Sequence, residues 1–331
     1  IIIYNNIMHD FGVETSATEN DYHAIAPSEN VDRVWVINNT AYNMGGDGVQ
    51  VGVAQLATVE RCNYVYIGDN HFYNNRENAV DIKKVDYVVI SSNDCHEYRS
   101  CNSSDGSAIV IHDGARHIWT INNRIYDSAN GIQLSAGADV WSIGNLIYNM
   151  IHDVNNDPWT ATSLYSDACC IHYRGSYTLP ETGATQYPNS GGIINNTFAD
   201  YKTAIQIPTT STGTYTIYNN YCNGSNEATG HDVMIEDSGT LAHVTISNQT
   251  HVNTAPASHY RVGSTNYTIA TFQGLGKGTN TLLDSASSLN GSYELNVGSS
   301  SRNAGTSIET IRSAFLTDFS VALSRDIFGN D

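Results

Sequence analysis

The sequence predicts an all-β solenoid in which short strands stack as successive coils of a parallel β-helix. Three observations predict it. The composition is rich in Asn, Ser, Thr, Gly and Tyr and poor in Lys, Glu and Leu, which favours short strands joined by turns over helices. An apolar strand running into asparagine recurs along the chain, at its tightest from Asn123 to Asn145 and from Asn70 to Asn93, spacings that suit one three-strand coil. A second short strand with alternating apolar residues follows each asparagine.

The first mark appears as Ile37-Asn38-Asn39, Ile67-Gly68-Asp69-Asn70, Ile90-Ser91-Ser92-Asn93 and Ile121-Asn122-Asn123. It continues as Ile143-Gly144-Asn145, Ile194-Asn195-Asn196, Ile217-Tyr218-Asn219-Asn220 and Ile246-Ser247-Asn248. Stacking would let each corner asparagine bond its amide to those above and below. The second mark appears as Gly48-Val49-Gln50-Val51, Ala79-Val80-Asp81-Ile82, Ala108-Ile109-Val110-Ile111 and Gly131-Ile132-Gln133-Leu134. Its later copies are Ala168-Cys169-Cys170-Ile171, Ala204-Ile205-Gln206-Ile207 and Asp232-Val233-Met234-Ile235. Alternation turns Val49, Val80, Ile109, Ile132, Cys169, Ile205 and Val233 inward. A single coil cannot bury its own apolar face, whereas a stack can. The 51 residues from Asn145 to Asn196 hold one strand copy, so they read as one coil with two insertions, 149–167 and 175–191. These would flank one sheet as walls, with Trp159, Tyr165, Tyr177 and Tyr187 available to stack on sugar rings. Residues 1–255 form the helix proper, and 256–331 supply the less regular final coils and cap of the same domain.

At 331 residues and a net charge of −18, the chain is long enough for a sizeable core and too acidic for a non-specific nucleic-acid binder. No apolar run reaches membrane-spanning length, so a membrane partner is not expected. Seven of the fifteen cationic residues fall between Arg76 and Arg174, an arrangement that suggests an anionic ligand handled there. The opening Ile1-Ile2-Ile3-Tyr4-Asn5-Asn6 reads as the middle of a repeat, so an export signal and further rungs are expected ahead of it. Cys95 and Cys101 are near enough in sequence to bridge a loop, which would suit a secreted protein. No CxxC pattern occurs, so a zinc site is not expected.

The Ile-x-Asn-Asn and Gly-Ile-x-Ile rhythm resembles the right-handed parallel β-helix of the pectate-lyase-like superfamily over roughly residues 1–250. The tail is similar to the closing segment of bacterial β-helix repeat proteins, in Tyr267-Thr268-Ile269-Ala270-Thr271-Phe272, Tyr293-Glu294-Leu295, Ser301-Arg302-Asn303-Ala304-Gly305 and Thr317-Asp318-Phe319. It departs at Asp326-Ile327-Phe328-Gly329, where those proteins carry Asp-Ile-Gly-Ala. The superfamily includes lyases, hydrolases, epimerases and adhesins, so the fold alone does not select an activity. The resemblance implies a site on the sheet built from the second strand mark, and a lysine with an arginine there is similar to its alginate and chondroitin lyases.

Alternation assigns two outward lines to that sheet. The first reads Gln50, Asp81, Val110, Gln133, Cys170, Gln206, Met234; the second reads Gly52, Lys83, His112, Ser135, His172, Pro208, Glu236. Cleavage of a uronic-acid polymer by β-elimination needs a cation on the carboxylate, a base for the C5 proton and an acid for the leaving oxygen. Lys83 fits the base if burial and neighbouring cations lower its pKa. His112 and His172 fit acid or base, and Arg174 fits the carboxylate clamp. Arg76, Asp81, Lys84, Trp159 and Tyr173 are the expected substrate contacts. Glu77, Asp81, Asp105 and Asp113 are the expected carboxylates for a calcium ion, although the calcium ligands of the similar lyases have no residue-by-residue match here. The expected function is therefore a secreted polysaccharide lyase acting on an acidic polysaccharide. A C5-epimerase would use nearly the same residues, a glycoside hydrolase would need two carboxylates across the groove, and a carbohydrate-binding or adhesive helix would need only the groove.

Overall fold

A computed structural model of the chain describes residues 1–322 except 16–17, 19, 54–60, 102–103, 151–167, 175–176, 179–184, 187–188, 209–212, 226–229, 253–257, 286, 302–303 and 321. It is a right-handed parallel β-helix with three long sheets of nine, ten and nine strands. One coil runs through Val85–Ser91 on the first sheet, Asp94–His96 on the second and Ser107–His112 on the third. The next repeats it as Ala115–Ile121, Arg124–Tyr126 and Asn130–Leu134. Equivalent strands pair in parallel from coil to coil. The final strand of the third sheet, Thr265–Tyr267, instead runs antiparallel to Tyr260–Val262.

The corner after the first sheet follows from two residues. The first takes a left-handed backbone, at φ near +55° in Asn38, Asp69, Ser92, Asn122, Asn195, Asn219 and Asn248. The second is a buried asparagine whose side chain continues the stack. Asn93 Nδ2 donates to Asn123 Oδ1 at 3.0 Å, and Asn123 Nδ2 donates to Asn145 Oδ1 at 3.0 Å. The chain of amides runs unbroken through Asn39, Asn70, Asn93, Asn123, Asn145, Asn196 and Asn220, ending on Gln249 Oε1. Glutamine thus takes the position that the Asn248 spacing suggested for asparagine.

The core is one column of side chains per inward position. On the second sheet it reads Ala41, Phe72, Cys95, Ile125, Ile147, Phe198 and Cys222, all fully buried. None of the six cysteines is in a disulfide, and all are buried. The expected Cys95–Cys101 bridge is not formed: Cys95 fills the core, while the Cys101 thiol donates to the Arg76 carbonyl at 3.2 Å.

Asn145 and Asn196 are stacked neighbours, so the span between them is a single coil. Its first insertion lies almost wholly outside the described residues, Trp159 and Tyr165 included. The second contains a short antiparallel pair, Tyr177–Thr178 with Thr185–Gln186. At the C-terminal end of the core, Phe272 of the helix Ile269–Gln273 stacks on Tyr260 at 4.0 Å. A longer helix, Glu309–Phe319, lies on the outer face of the first sheet. There Ile311 and Phe315 pack with Val89, Trp119, Ile121, Ile143 and Ile194.

Candidate functional site

On the third sheet, Val80 and Ile82 point into the core, which leaves Asp81 and Lys83 on the outer face two residues apart. One coil on, Val110 pairs with Asp81 and His112 with Lys83. This register brings both cationic side chains over a single carboxylate. Lys83 Nζ lies 2.9 Å from Asp81 Oδ2, and His112 Nε2 lies 2.7 Å from Asp81 Oδ1. Lys83 also donates to Gln50 Oε1 at 2.8 Å from the preceding coil. Asp81 is nearly buried, and its two partners are about one-fifth exposed.

The electrostatics follow from that geometry. Burial by itself would raise Asp81, but His112 and Lys83 outweigh it and hold the carboxyl well below the usual range. Burial would likewise lower Lys83 and His112, yet the Asp81 carboxylate raises both above their ordinary values. The lysine is therefore a fixed cation. The lowered pKa that a lysine base requires is not found, because its nearest charge is negative rather than positive.

The remaining expected site residues divide into those the sheet brings together and those it does not. Ile171 pairs with Ile132 and Ile205, and His172 with Gln133 and Gln206. The strand copy is thus Cys170-Ile171-His172-Tyr173, two residues later than the pattern suggested. A slide of two residues keeps His172 facing out and moves it one place along the strand, while Cys170, expected to face out, is carried to the corner position of Gly131 and into the core. His172 therefore joins the line of Asp81 rather than that of Lys83 and His112. Arg174 donates its backbone N–H to the Leu134 carbonyl, which sets it beside Ser135 in the Lys83 line. Cys170 and Ile171 fill the core, while Cys169 pairs with Asn130 at the corner. Tyr173 is also a core residue with no exposed surface, so it is not a substrate contact.

Arg174 is half exposed and pairs with Asp105 at 2.6 Å. Arg76 is buried against Glu77 at 2.7 Å, beneath Cys101 and Ser104, which removes it from any substrate. Lys84 is half buried in the left-handed turn that follows the strand. Trp159 lies outside the described residues. The four carboxylates expected to share a cation are instead dispersed. Asp81 serves Lys83 and His112, Asp105 serves Arg174, and Glu77 serves Arg76. Asp113 is buried with both oxygens lacking hydrogen bonds, its nearest ionic neighbour being His112 Nδ1 at 3.5 Å.

Sequence reading missed two other titratable groups on these coils. His23, Asp47 and Glu77 bring a nitrogen and two carboxylate oxygens within 4.8 Å of one another. His23 Nδ1 accepts the Asp47 backbone N–H at 3.0 Å, so its lone pair is already engaged. Further along, Asp232 lies fully buried and accepts from His251 Nδ1 at 2.7 Å, His259 Nδ1 at 2.6 Å and the Tyr201 hydroxyl. Burial would raise Asp232, but the two histidines hold it down to about 2. His251 Nε2 completes the network with the Tyr260 hydroxyl at 2.7 Å. Satisfied throughout and closed to solvent, this group is part of the core. The stretch 231–260 holds four histidines and two aspartates, a signal the repeat pattern overshadowed.

The face that can meet a solute therefore carries Gln50, Lys83, His112, Ser135, His172 and Arg174, with Asp81 held between Lys83 and His112 and Asp105 paired with Arg174. Comparison with protein-family models, with curated proteins and with solved structures finds no match to this chain.

Proposed function

We propose that the chain is a carbohydrate-active β-helix of the pectate-lyase-like kind that cleaves an acidic polysaccharide by β-elimination on the outer face of the third sheet. The observation that carries this reading is the Lys83–Asp81–His112 group. It combines a permanent cation with a proton-exchanging imidazole, both about one-fifth exposed and locked by one carboxylate. Lys83 faces the uronate carboxylate and stabilises the negative charge that builds there when the C5 proton leaves. His112, in its neutral form, takes that proton. The C5 electron pair forms the C4–C5 double bond, the C4–oxygen bond breaks, and the imidazolium returns the proton to the leaving oxygen. Arg174 lies three coils from Lys83, about 14 Å at the usual strand spacing, and so reads a neighbouring sugar of the chain. His172 lies two coils from His112 and lines the same track. Secretion fits a polymer substrate.

A second reading has its own support. Lys83 and Arg174 each carry a carboxylate partner, an arrangement that suits a non-catalytic carbohydrate-binding helix. Incubation with alginate, pectate and glycosaminoglycans separates the two. The lyase reading expects ultraviolet-absorbing unsaturated products, lost in Lys83→Ala and His112→Ala with the circular dichroism unchanged. Binding without products selects the second reading, and full activity in Lys83→Ala rules out the assigned site. Reducing ends without the unsaturated chromophore would indicate a hydrolase. If chelation abolishes activity and calcium restores it, a cation joins the mechanism.

A further inference from the structure

The second sheet carries an arrangement that the third-sheet site does not use. His71 opens the strand His71–Tyr73, and Asp94 and His96 begin and end the strand above it. The register pairs Asp94 with His71 and His96 with Tyr73. Phe72 and Cys95 fill the core between them, so 71, 94 and 96 all face outward. The two imidazoles meet with Nε2 atoms 2.9 Å apart, and an Asp94 oxygen lies within 4.8 Å of both.

From this geometry we infer a binding site for one divalent first-row transition ion of the zinc class, held by His71 Nε2, His96 Nε2 and the Asp94 carboxylate. Two nitrogens each about 2.1 Å from a metal and at right angles around it lie about 3.0 Å apart, close to the separation found here. The donor set of two imidazoles and one carboxylate suits zinc, nickel or copper and disfavours calcium, which takes oxygen ligands. Two supporting features surround the donors. Glu97 Oε1 lies 3.6 Å from the shielded His96 Nδ1, so Nε2 is the nitrogen that faces His71. Asp94 Oδ1 is shielded from water and accepts no hydrogen bond.

The His96 ring is also held in place before any ion arrives. His96 is sandwiched between Tyr73, at 5.0 Å and 3°, and Tyr126, at 4.7 Å and 19°. These stacks belong to a ladder running from His9 through Tyr42, Tyr73, His96, Tyr126 and Tyr148 to Tyr293. Rings stacked on one another show their edges to solvent, so the ladder offers no free ring faces to sugars. Its role at this point is to fix the His96 imidazole, against which His71 lies tilted by 37°. His71 is exposed, which leaves the outer coordination positions open to water or an anionic ligand.

The test is calorimetric titration of the full chain, stripped with a chelator, with zinc, alongside cobalt titration read by visible d–d absorption. One equivalent of zinc should bind, with five- or six-coordinate cobalt bands. His71→Ala and His96→Ala should each abolish it, and Asp94→Asn should weaken it at least about tenfold by removing the anionic ligand. His172→Ala, on the other sheet, should bind as the parent does. Circular dichroism of His71→Ala reports folding, which the exposed side chain does not control. No binding, or one-to-one binding that survives in a folded His71→Ala, overturns the inference. Neither result bears on the elimination chemistry of the third sheet.

Discussion

Asp81 is the residue on which the third-sheet site depends, because it is nearly buried and both cations of the site lean on it. Replacing it with Asn leaves Lys83 and His112 facing a neutral amide in a partly dry environment. A loss of about 3 kcal/mol is expected, at the lower end of the range for breaking a buried pair, and urea denaturation measures it. The pH dependence follows with its sign. His112 is raised when folded, so its contribution is complete below the ordinary histidine value and lost as pH rises through the folded one. Asp81 is depressed, so its contribution is complete above the ordinary aspartate value and lost as pH falls through the folded one. Both are whole between about pH 4 and pH 6.5, where the denaturation midpoint should peak as far as this group sets it, and Asp81→Asn should flatten both flanks. Elimination by neutral His112 should instead increase with pH, its acid limb displaced above the ordinary histidine value. Alternation along the strand was enough to put 81, 83 and 112 together. It could not tell that Lys83 would be held by a carboxylate, since Asp81 and Lys83 two residues apart on one face allow pairing without requiring it.

At the scale of the element, the corner asparagines were legible as a repeat and the structure makes them a ladder. Asn123 accepts from the Asn93 backbone N–H and side-chain amide, and donates to Ile90 O and Asn145 Oδ1. Asn123→Ala removes all four bonds and strands buried partners, so a loss of about 3–5 kcal/mol is expected in equilibrium unfolding, far more than a surface asparagine would show. The strand at 169–173 shows where the pattern runs out. A two-residue slide leaves His172 facing out, so hydrophobic alternation is blind to it. Only stacking of Ile171 between Ile132 and Ile205 decides the register. Reading Cys170-Ile171-His172-Tyr173 against Gly131-Ile132-Gln133-Leu134 would have found it, since both begin with a small residue before isoleucine.

For the whole molecule, the helix Glu309–Phe319 covers what would otherwise be an apolar outer wall. Ile308, Ile311, Phe315 and Phe319 recur at helical spacing and meet that wall, while Trp119 Nε1 donates to Asp318 Oδ2 at 3.0 Å. Phe315→Ala should cost about 3 kcal/mol and shift Trp119 fluorescence to the red as water reaches the indole. The hint lay in the outward line of the first sheet, where Trp35, Tyr66, Val89, Trp119 and Trp141 align. Apolar residues on both faces mean burial on both faces. By itself the sequence determined the solenoid, the spacing of its coils and which residues of each strand face out, because those depend on local alternation and on turns that asparagine favours. Tertiary structure alone decided how those outward residues pair. Charge pairing, the two-residue register and the returning helix all depend on neighbours one or more coils away, and no local period along the chain encodes that distance.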